Sequence, residues 1–240
     1  MATEPDINVS EAALSRRLPQ PLPDEPMHWA KAWIDDAVER DVQRNPTCMM
    51  LATVSSDGQP SSRVVLCKSF VPDPGFIVFY TNYRSRKVSE LGANPAVAAT
   101  FHWDALGRQI RIEGHAVLSP ADESDAYFAT RDWGSRLGAW GSDQSMPVES
   151  REALMNQLRA RAGDLGIRVS EDMQTLAPGR QPPIPRPPHW GGVRIWAGAI
   201  ELWIEGSDRI HERARWTRSL EPDTSAGFRV GAWTGARLQP

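Results

Sequence analysis

Between positions 63 and 87 the chain threads basic residues around two apolar runs. It reads Arg63-Val-Val-Leu-Cys-Lys68, a turn, Gly75-Phe-Ile-Val-Phe-Tyr80-Thr81 and then Asn-Tyr-Arg-Ser-Arg86-Lys87. Val64, Leu66, Ile77 and Phe79 recur at strand spacing, so Arg63, Lys68, Arg86 and Lys87 fall at the ends of two neighbouring strands and at a helix start. Two chemistries fit such residues. Charged ends are the ordinary solvated termini of a buried hairpin. Equally, a helix N-terminus exposes free backbone N–H groups and arginine supplies a forked donor, which together make a site for an anion such as phosphate.

Composition limits where such an anion could come from. The 240 residues carry 27 Lys plus Arg against 30 Asp plus Glu, a net charge of -3. That balance excludes a broad attraction to nucleic acid or anionic lipid, so any anionic ligand must be held by a local cluster. Cys48 and Cys67 sit in apolar, strand-like runs without metal-ligand or redox spacing, and read as small buried side chains in a reducing compartment. The N-terminus is acidic and lacks an apolar core segment, and no apolar run reaches membrane-spanning length. The expectation is a cytoplasmic protein with no membrane and no nucleic-acid partner.

The elements that would position the cations follow in order. Residues 1–26 end in a proline-rich stretch that reads as an extended arm, packed late or loosely. Residues 27–240 suit a single domain. Trp29, Ala30, Trp33, Ile34 and Ala37 recur at helical spacing from Met27 to about Asp41. Strands are expected at 49–54, 62–68, 75–81, 96–103 and 108–118, with a turn at Asp57-Gly58 and a short helix at 87–91. In the strand at 108–118, Ile110, Ile112 and Val117 are expected on one face and Gln109, Arg111 and Glu113 on the other. Ser119-Pro120 reads as the cap and first position of a helix carrying Tyr127, Phe128 and Arg131. Residues 149–161 read as another amphipathic helix, and 178–188 as a proline-rich loop. Strands at 192–204 and 209–217, a turn at 220–227 and a final strand close the chain. So many sequential strands with few intervening helices favour an antiparallel barrel with flanking helices, a mainly β (α+β) fold.

Several short motifs now stand in one order. They are Arg63-Val-Val-Leu-Cys-Lys68, Phe79-Tyr-Thr-Asn82, Ser85-Arg-Lys87, Arg108-Gln109, Tyr127-Phe-x-x-Arg131, Ser135-x-x-Gly-Ala-Trp140, Gln144-Ser145, Trp190-Gly-Gly192, Glu201-Leu-Trp203, Arg209-Ile-His211-Glu-Arg213 and Arg237-Leu-Gln-Pro240. From about residue 27 to the end, the sequence resembles the pyridoxamine (pyridoxine) 5'-phosphate oxidases, which are FMN-dependent split-barrel enzymes of antiparallel, Greek-key type.

The resemblance implies a role for each motif. Arg63, Arg86 and Lys87 would hold the FMN phosphate, with Val64, Val65, Leu66, Cys67 and Lys68 along the same strand. Tyr80, Thr81, Gln109, Gln144, Ser145, Trp203 and Arg213 would line the rest of the flavin. Lys68, Tyr127, Arg131 and Ser135 would bind the substrate phosphate, and Tyr127 and Arg131, four residues apart, share a helical face. Arg209 and His211, expected to alternate on a strand, would lie over the substrate ring as the catalytic pair, orienting it rather than attacking it. The implied reaction oxidises pyridoxamine or pyridoxine phosphate to pyridoxal phosphate and reduces oxygen to hydrogen peroxide. Family members are homodimers with flavin sites at the subunit interface. No metal is implied.

The chain also departs from the family pattern. Asn8 to Arg17 lacks the Arg-x-x-Tyr type of lid, Asp-Trp-Gly follows Arg131, the segment Ile167 to Arg180 is longer than usual, and Leu220 to Gly227 lengthens the last hairpin. These changes leave room for a related phenazine-biosynthesis oxidase acting on a larger aromatic acid, or for a flavin-binding split barrel without turnover.

Overall fold

The computed structural model describes residues 14–170, 182–223 and 227–240. β-Branched and aromatic residues in short alternating runs form the strands β1 (Cys48–Val54), β2 (Pro60–Leu66), β3 (Ser69–Val71), β4 (Phe76–Asn82), β5 (Ala96–Trp103) and β6 (Arg108–Leu118). They continue as β7 (Trp190–Ile204), β8 (Glu212–Thr217), β9 (Leu220–Asp223), β10 (Gly227–Val230) and β11 (Thr234–Leu238). The described helices are α1 (Pro26–Glu39), α2 (Arg86–Ala93), α3 (Ala121–Thr130), α4 (Trp133–Gly141) and α5 (Arg151–Asp164).

Nine strands make one antiparallel sheet in the order β11-β8-β7-β6-β5-β1-β2, with β4 added to β7 and β3 to β4. The long strand β7 is where the sheet divides. β6 pairs with it along almost its whole length, while its other edge takes β4 from Trp190 to Trp196 and β8 from Ala199 to Ile204. The changeover falls at Gly198, which the β6 register skips between Gly114↔Ala197 and Glu113↔Ala199. That bulge reverses which side chains face inward. Val193, Ile195 and Ala197 enter the main core before it, and Ile200, Leu202 and Ile204 after it. A Cβ on Gly114 would overlap the Trp196 carbonyl, so glycine is required where the two strands approach at the bulge. The sheet thus curls into the expected split barrel, its interior filled by Trp33, Trp103, Trp216, Phe79 and Phe101, all nearly inaccessible to solvent.

Helix α1 starts with proline in its first turn and lays Met27, Ala30, Trp33, Ile34 and Ala37 against this core. Its Asp36 meets Arg108 of β6 at 2.9 Å in a buried pair, and Arg108 also donates to the Leu14 carbonyl. Residues 14–25 pack more firmly than a loose arm would. Leu18 is buried, Arg237 donates to the carbonyls of Leu18 and Pro19, and Trp216 donates to that of Pro23.

Other expectations are corrected by tertiary contacts. Ser119 does not cap α3: Pro120 occupies the cap and the Ser119 hydroxyl donates to Glu123. Val117 faces away from Ile110 and Ile112, joining Phe76, Val78 and Trp196 on the outer side of the sheet. Helix α4 forms in a stretch rich in glycine, initiated by Asp132, whose carboxylate accepts from the Ser135 N–H at 2.8 Å. Helix α5 is capped by Ser150, and only Ala162 of its residues is buried, in a small cluster with Leu137, Ile167 and Ile184. Where a turn is expected around 220–227, Leu220–Asp223 (β9) and Gly227–Val230 (β10) pair as antiparallel strands, and residues 224–226 lie outside the described residues. Arg209 and His211 do not alternate on a strand, because β8 begins only at Glu212 and Arg209 ends a tight turn with φ of 64°. Of the lengthened segment and the proline-rich loop, residues 171–181 lie outside the described residues, as do 1–13 of the N-terminal arm. Among the described residues no helix is long and apolar enough to cross a membrane.

Candidate active site

A cavity of about 620 Å³ opens between β2, β4, the start of α2, the end of α3, α4 and the loop after it. From the anticipated set it gathers Arg63, Val64, Val65, Leu66 and Lys68 of the β2 region, Tyr80 and Thr81 of β4, and Arg86 and Lys87 of α2. Across from them stand Tyr127, Arg131, Ser135, Gln144 and Ser145. The sheet brings β2 and β4 together, and α2 follows β4 directly, so local chain order places the first group. The second is delivered by a connection absent from local pattern.

The α2 end is a cationic corner. Lys87 is 7% exposed and its ammonium donates to Thr81 Oγ1 at 3.0 Å, Ser85 Oγ at 3.0 Å and Gln144 Oε1 at 3.2 Å. Among the described residues it forms no ion pair. Burial pushes its pKa down to about 8, and the nearby Arg63 charge adds to the fall. Beside it the buried Glu90 organises both arginines, accepting from Arg86 Nε at 2.7 Å and from Arg63 Nη2 at 3.3 Å. Burial alone would raise the Glu90 pKa, but hydrogen bonds from Thr53, Ser61 and Arg86, with the Arg86 charge, hold it at about 2. The carboxylate is therefore ionised, and the corner carries three cations against one anion.

Gln144 closes this corner from the far side. Its Oε1 also accepts from Thr81 Oγ1 and the Asn82 N–H, at 3.0 and 3.4 Å. Ser145 next to it adopts φ of 76°, a left-handed turn that reverses the chain at the rim. An ammonium held by neutral acceptors and no carboxylate, next to two oriented guanidinium groups and a helix start, suits the terminal phosphate of a cofactor.

The α3 end is a second, different corner. Arg131 caps the C-terminus of α3 and its guanidinium lies 4.4 Å from the Trp190 ring centroid and 5.5 Å from that of Phe128. Its Nη1 is buried without a hydrogen-bond partner, and burial lowers its pKa. Tyr80 stacks on Tyr127 at 3.9 Å between centroids, and both lie nearly parallel to Trp190. Burial also raises the Tyr80 pKa, with Glu123 reinforcing it, so this phenol stays protonated. The combination is an aromatic slot with one unsatisfied cationic donor.

Five anticipated residues lie elsewhere in the chain. Gln109, Trp203 and Arg213 stand opposite one another on β6, β7 and β8. Arg213 donates to the buried Glu201 at 2.9 Å, and His211 packs its ring 4.7 Å from Trp203 while its Nδ1 accepts from the Gly206 N–H. Arg209 is exposed in the preceding turn. Gly192 of β7 pairs with Tyr80 at the cavity, so Trp203 is eleven residues, roughly 35 Å of strand, farther along. None of the five lines the cavity. Cys67, expected as a small buried side chain, lies in the main core, donates to the Ser69 carbonyl, and has its pKa pushed up to about 12 by burial. Glu90, Asn82, Ser142 and Trp190 were not assigned roles from sequence. Asn82 and Trp190 were signalled only by their position inside motifs and Glu90 and Ser142 by none, since an acid beside a cluster of cations and a tryptophan beside an arginine have no spacing signature.

The site's two halves can now be set beside known proteins. The family model described as pyridoxamine 5'-phosphate oxidase matches residues 34–160, more than half of the chain. The chain belongs to the pyridoxamine 5'-phosphate oxidase family. It is an oxidoreductase of that family, and its residues 190–240 match the pyridoxine 5'-phosphate oxidase C-terminal dimerisation region. Among its relatives, the pyridoxine/pyridoxamine 5'-phosphate oxidase of Paraburkholderia phytofirmans is 44% identical over 215 residues, covering 90% of this chain and 89% of that protein. The oxidase of the same name from Gloeothece citriformis is 46% identical over 183 residues, covering 76% and 78%. Among solved structures, PhzG from Burkholderia lata, in complex with tetrahydrophenazine-1-carboxylic acid, is similar with a TM-score of 0.74 at 30% identity, covering 92% of this chain and 95% of that one. A pyridoxamine 5'-phosphate oxidase-related, FMN binding protein from Nostoc punctiforme shares the fold at a TM-score of 0.60 and 16% identity, covering 88% and 97%.

Proposed function

We propose that this oxidase uses FMN to convert pyridoxamine 5'-phosphate or pyridoxine 5'-phosphate to pyridoxal 5'-phosphate, with oxygen as electron acceptor and hydrogen peroxide as product. One observation carries the reading. A single cavity presents two cationic corners, and in each a cation, the buried Lys87 ammonium or the half-buried Arg131 guanidinium, forms no ion pair among the described residues. Two phosphate monoesters, one on the cofactor and one on the substrate, would satisfy both.

FMN would supply the redox chemistry, taking a hydride from the C4' carbon of the substrate and passing the electrons to oxygen. The chain's own residues bind and orient. Arg63, Arg86 and Lys87 would hold the FMN phosphate, while the backbone from Val64 to Lys68, with Tyr80, Thr81, Gln144 and Ser145, would border the flavin. Arg131, Tyr127, Ser135 and Lys68 would grip the substrate phosphate, fixing the distance of the pyridine ring from the flavin. The match to a dimerisation region supports a homodimer in which a second copy supplies Gln109, Trp203 and Arg213 to the flavin and Arg209 and His211 to the substrate ring. That arrangement accounts for the roughly 35 Å of strand separating the two groups in one chain. Residues 27–240 would act as one domain in the cytoplasm, a setting in keeping with the free thiols of Cys48 and Cys67.

A second reading is favoured by the likeness to PhzG: oxidation of a larger aromatic acid at the same FMN. Oxygen uptake by FMN-loaded protein separates the two. Pyridoxine 5'-phosphate or pyridoxamine 5'-phosphate should drive uptake, and a dihydrophenazine carboxylic acid should not. If neither B6 phosphate is oxidised, the proposed function is wrong.

A further inference from the structure

Arg131 poses a physical problem that its own neighbours answer. A partly buried guanidinium is commonly held by an acid, yet among the described residues Arg131 forms no ion pair, and its Nη1 is buried and unpartnered. What it has instead is aromatic surface. Its guanidinium carbon stands over the Trp190 ring and, farther off, over Phe128. An electron-rich ring face stabilises a cation without accepting its N–H groups, so the donors at the edge of the fork remain available.

Trp190 is itself rigidly placed. It opens β7, with its N–H bonded to the Pro187 carbonyl and its carbonyl accepting from Arg186 Nη1 at 2.7 Å. Arg186 in turn is tied to Asp125 of α3, the helix that carries Arg131. Phe128 meets the Trp190 ring edge-on at 5.1 Å between centroids. Ring and guanidinium are thus fixed by the same helix and strand, and both line the cavity.

We propose that Trp190 is a positioning residue for phosphate recognition: its ring holds the Arg131 guanidinium in place without occupying its N–H donors, so that the oxidase discriminates phosphorylated from unphosphorylated substrates. The inference rests on the proposed function and adds a residue to it. An acid in place of Trp190 would hold Arg131 equally well and would compete with the incoming phosphate for the same donors.

Calorimetry on the FMN-loaded full chain tests this with a non-oxidisable pair, 4-deoxypyridoxine 5'-phosphate and 4-deoxypyridoxine. The wild-type protein should bind the phosphate ester far more tightly. Trp190→Met, which keeps bulk and loses the ring face, should reduce the ratio of the two affinities about tenfold, while Trp190→Phe should reduce it no more than about threefold. Affinity for 4-deoxypyridoxine should be the same in all three, a result that mere loosening of the pocket would not give. Equal weakening of both ligands, or an unchanged ratio in Trp190→Met, overturns the role of Trp190 while leaving the proposed function standing. A wild-type protein that does not distinguish the two ligands overturns both. Should Trp190→Met not fold, Phe128→Leu removes the second ring, and an unchanged ratio there overturns the proposal as well.

Discussion

The cavity holds its arginines in two ways. At the α2 end, Arg63 and Arg86 converge on one buried carboxylate, Glu90, which also accepts from Thr53 and Ser61. At the α3 end, Arg131 rests over Trp190 and Phe128 with an unpartnered nitrogen. A carboxylate fixes a guanidinium through charge-assisted hydrogen bonds of about 1.5–3 kcal/mol each, but it offsets the charge and occupies donors. A ring face contributes about 0.5–2 kcal/mol and occupies none. The first arrangement suits a group that stays bound, such as a cofactor phosphate. The second suits a group that must arrive and leave in every turnover.

The widest separation between the corners should come from Arg86→Ala and Arg131→Ala. Arg86→Ala should weaken FMN about 100-fold in a flavin-fluorescence titration, the loss of one or two charge-assisted bonds. Arg131→Ala should raise KM for pyridoxine 5'-phosphate about 30-fold and leave the FMN titration unchanged. Loss of flavin from Arg131→Ala would show that the two corners are not separate sites.

A smaller effect should sharpen the role of the carboxylate. Glu90→Gln keeps the shape but removes the charge that aligns both arginines, and FMN should bind about tenfold more weakly with substrate KM unmoved. If the variant binds FMN more tightly, charge outweighs alignment at this corner.

The smallest effect is a pH dependence confined to the α2 end. Lys87 titrates near 8 in the free protein, whereas in the unfolded chain it keeps an ordinary lysine value near 10.5. Between these two values the unfolded chain binds more protons than the folded one, so stability of the flavin-free protein should rise with pH across that window. FMN affinity should run the opposite way, falling as pH rises through about 8, because only the charged ammonium attracts the phosphate. Thermal melts and flavin titrations of the same samples should therefore diverge with pH, and Lys87→Met should abolish both trends.

Much of this was legible from local pattern. Alternating Ile110 and Ile112, the run from Gly75 to Thr81 and the cations at its ends mark strands and a cationic cluster, because strand period and helix-start chemistry act over a few residues. Val117 stands an odd number of residues from Ile110 and Ile112, so the unbroken alternation of β6 turns it outward and gives the inward position to Ala116. Arg209 and His211 were misread as strand neighbours because a turn with positive φ interrupts the chain just before β8.

The sequence alone determined the antiparallel barrel, the family and the cations of the α2 corner, since each rests on short-range periodicity or on motifs in a set order. Only the tertiary structure decided how those cations are held. It brought Glu90 beneath two arginines and Trp190 beneath a third, and it set Gln109, Trp203 and Arg213 side by side on β6, β7 and β8, outside the lining of their own chain's cavity. Burial and partnership depend on which distant segments meet: Arg86 and Glu90 are neighbours on one helix, but the Arg63–Glu90 and Arg131–Trp190 contacts join residues tens of positions apart.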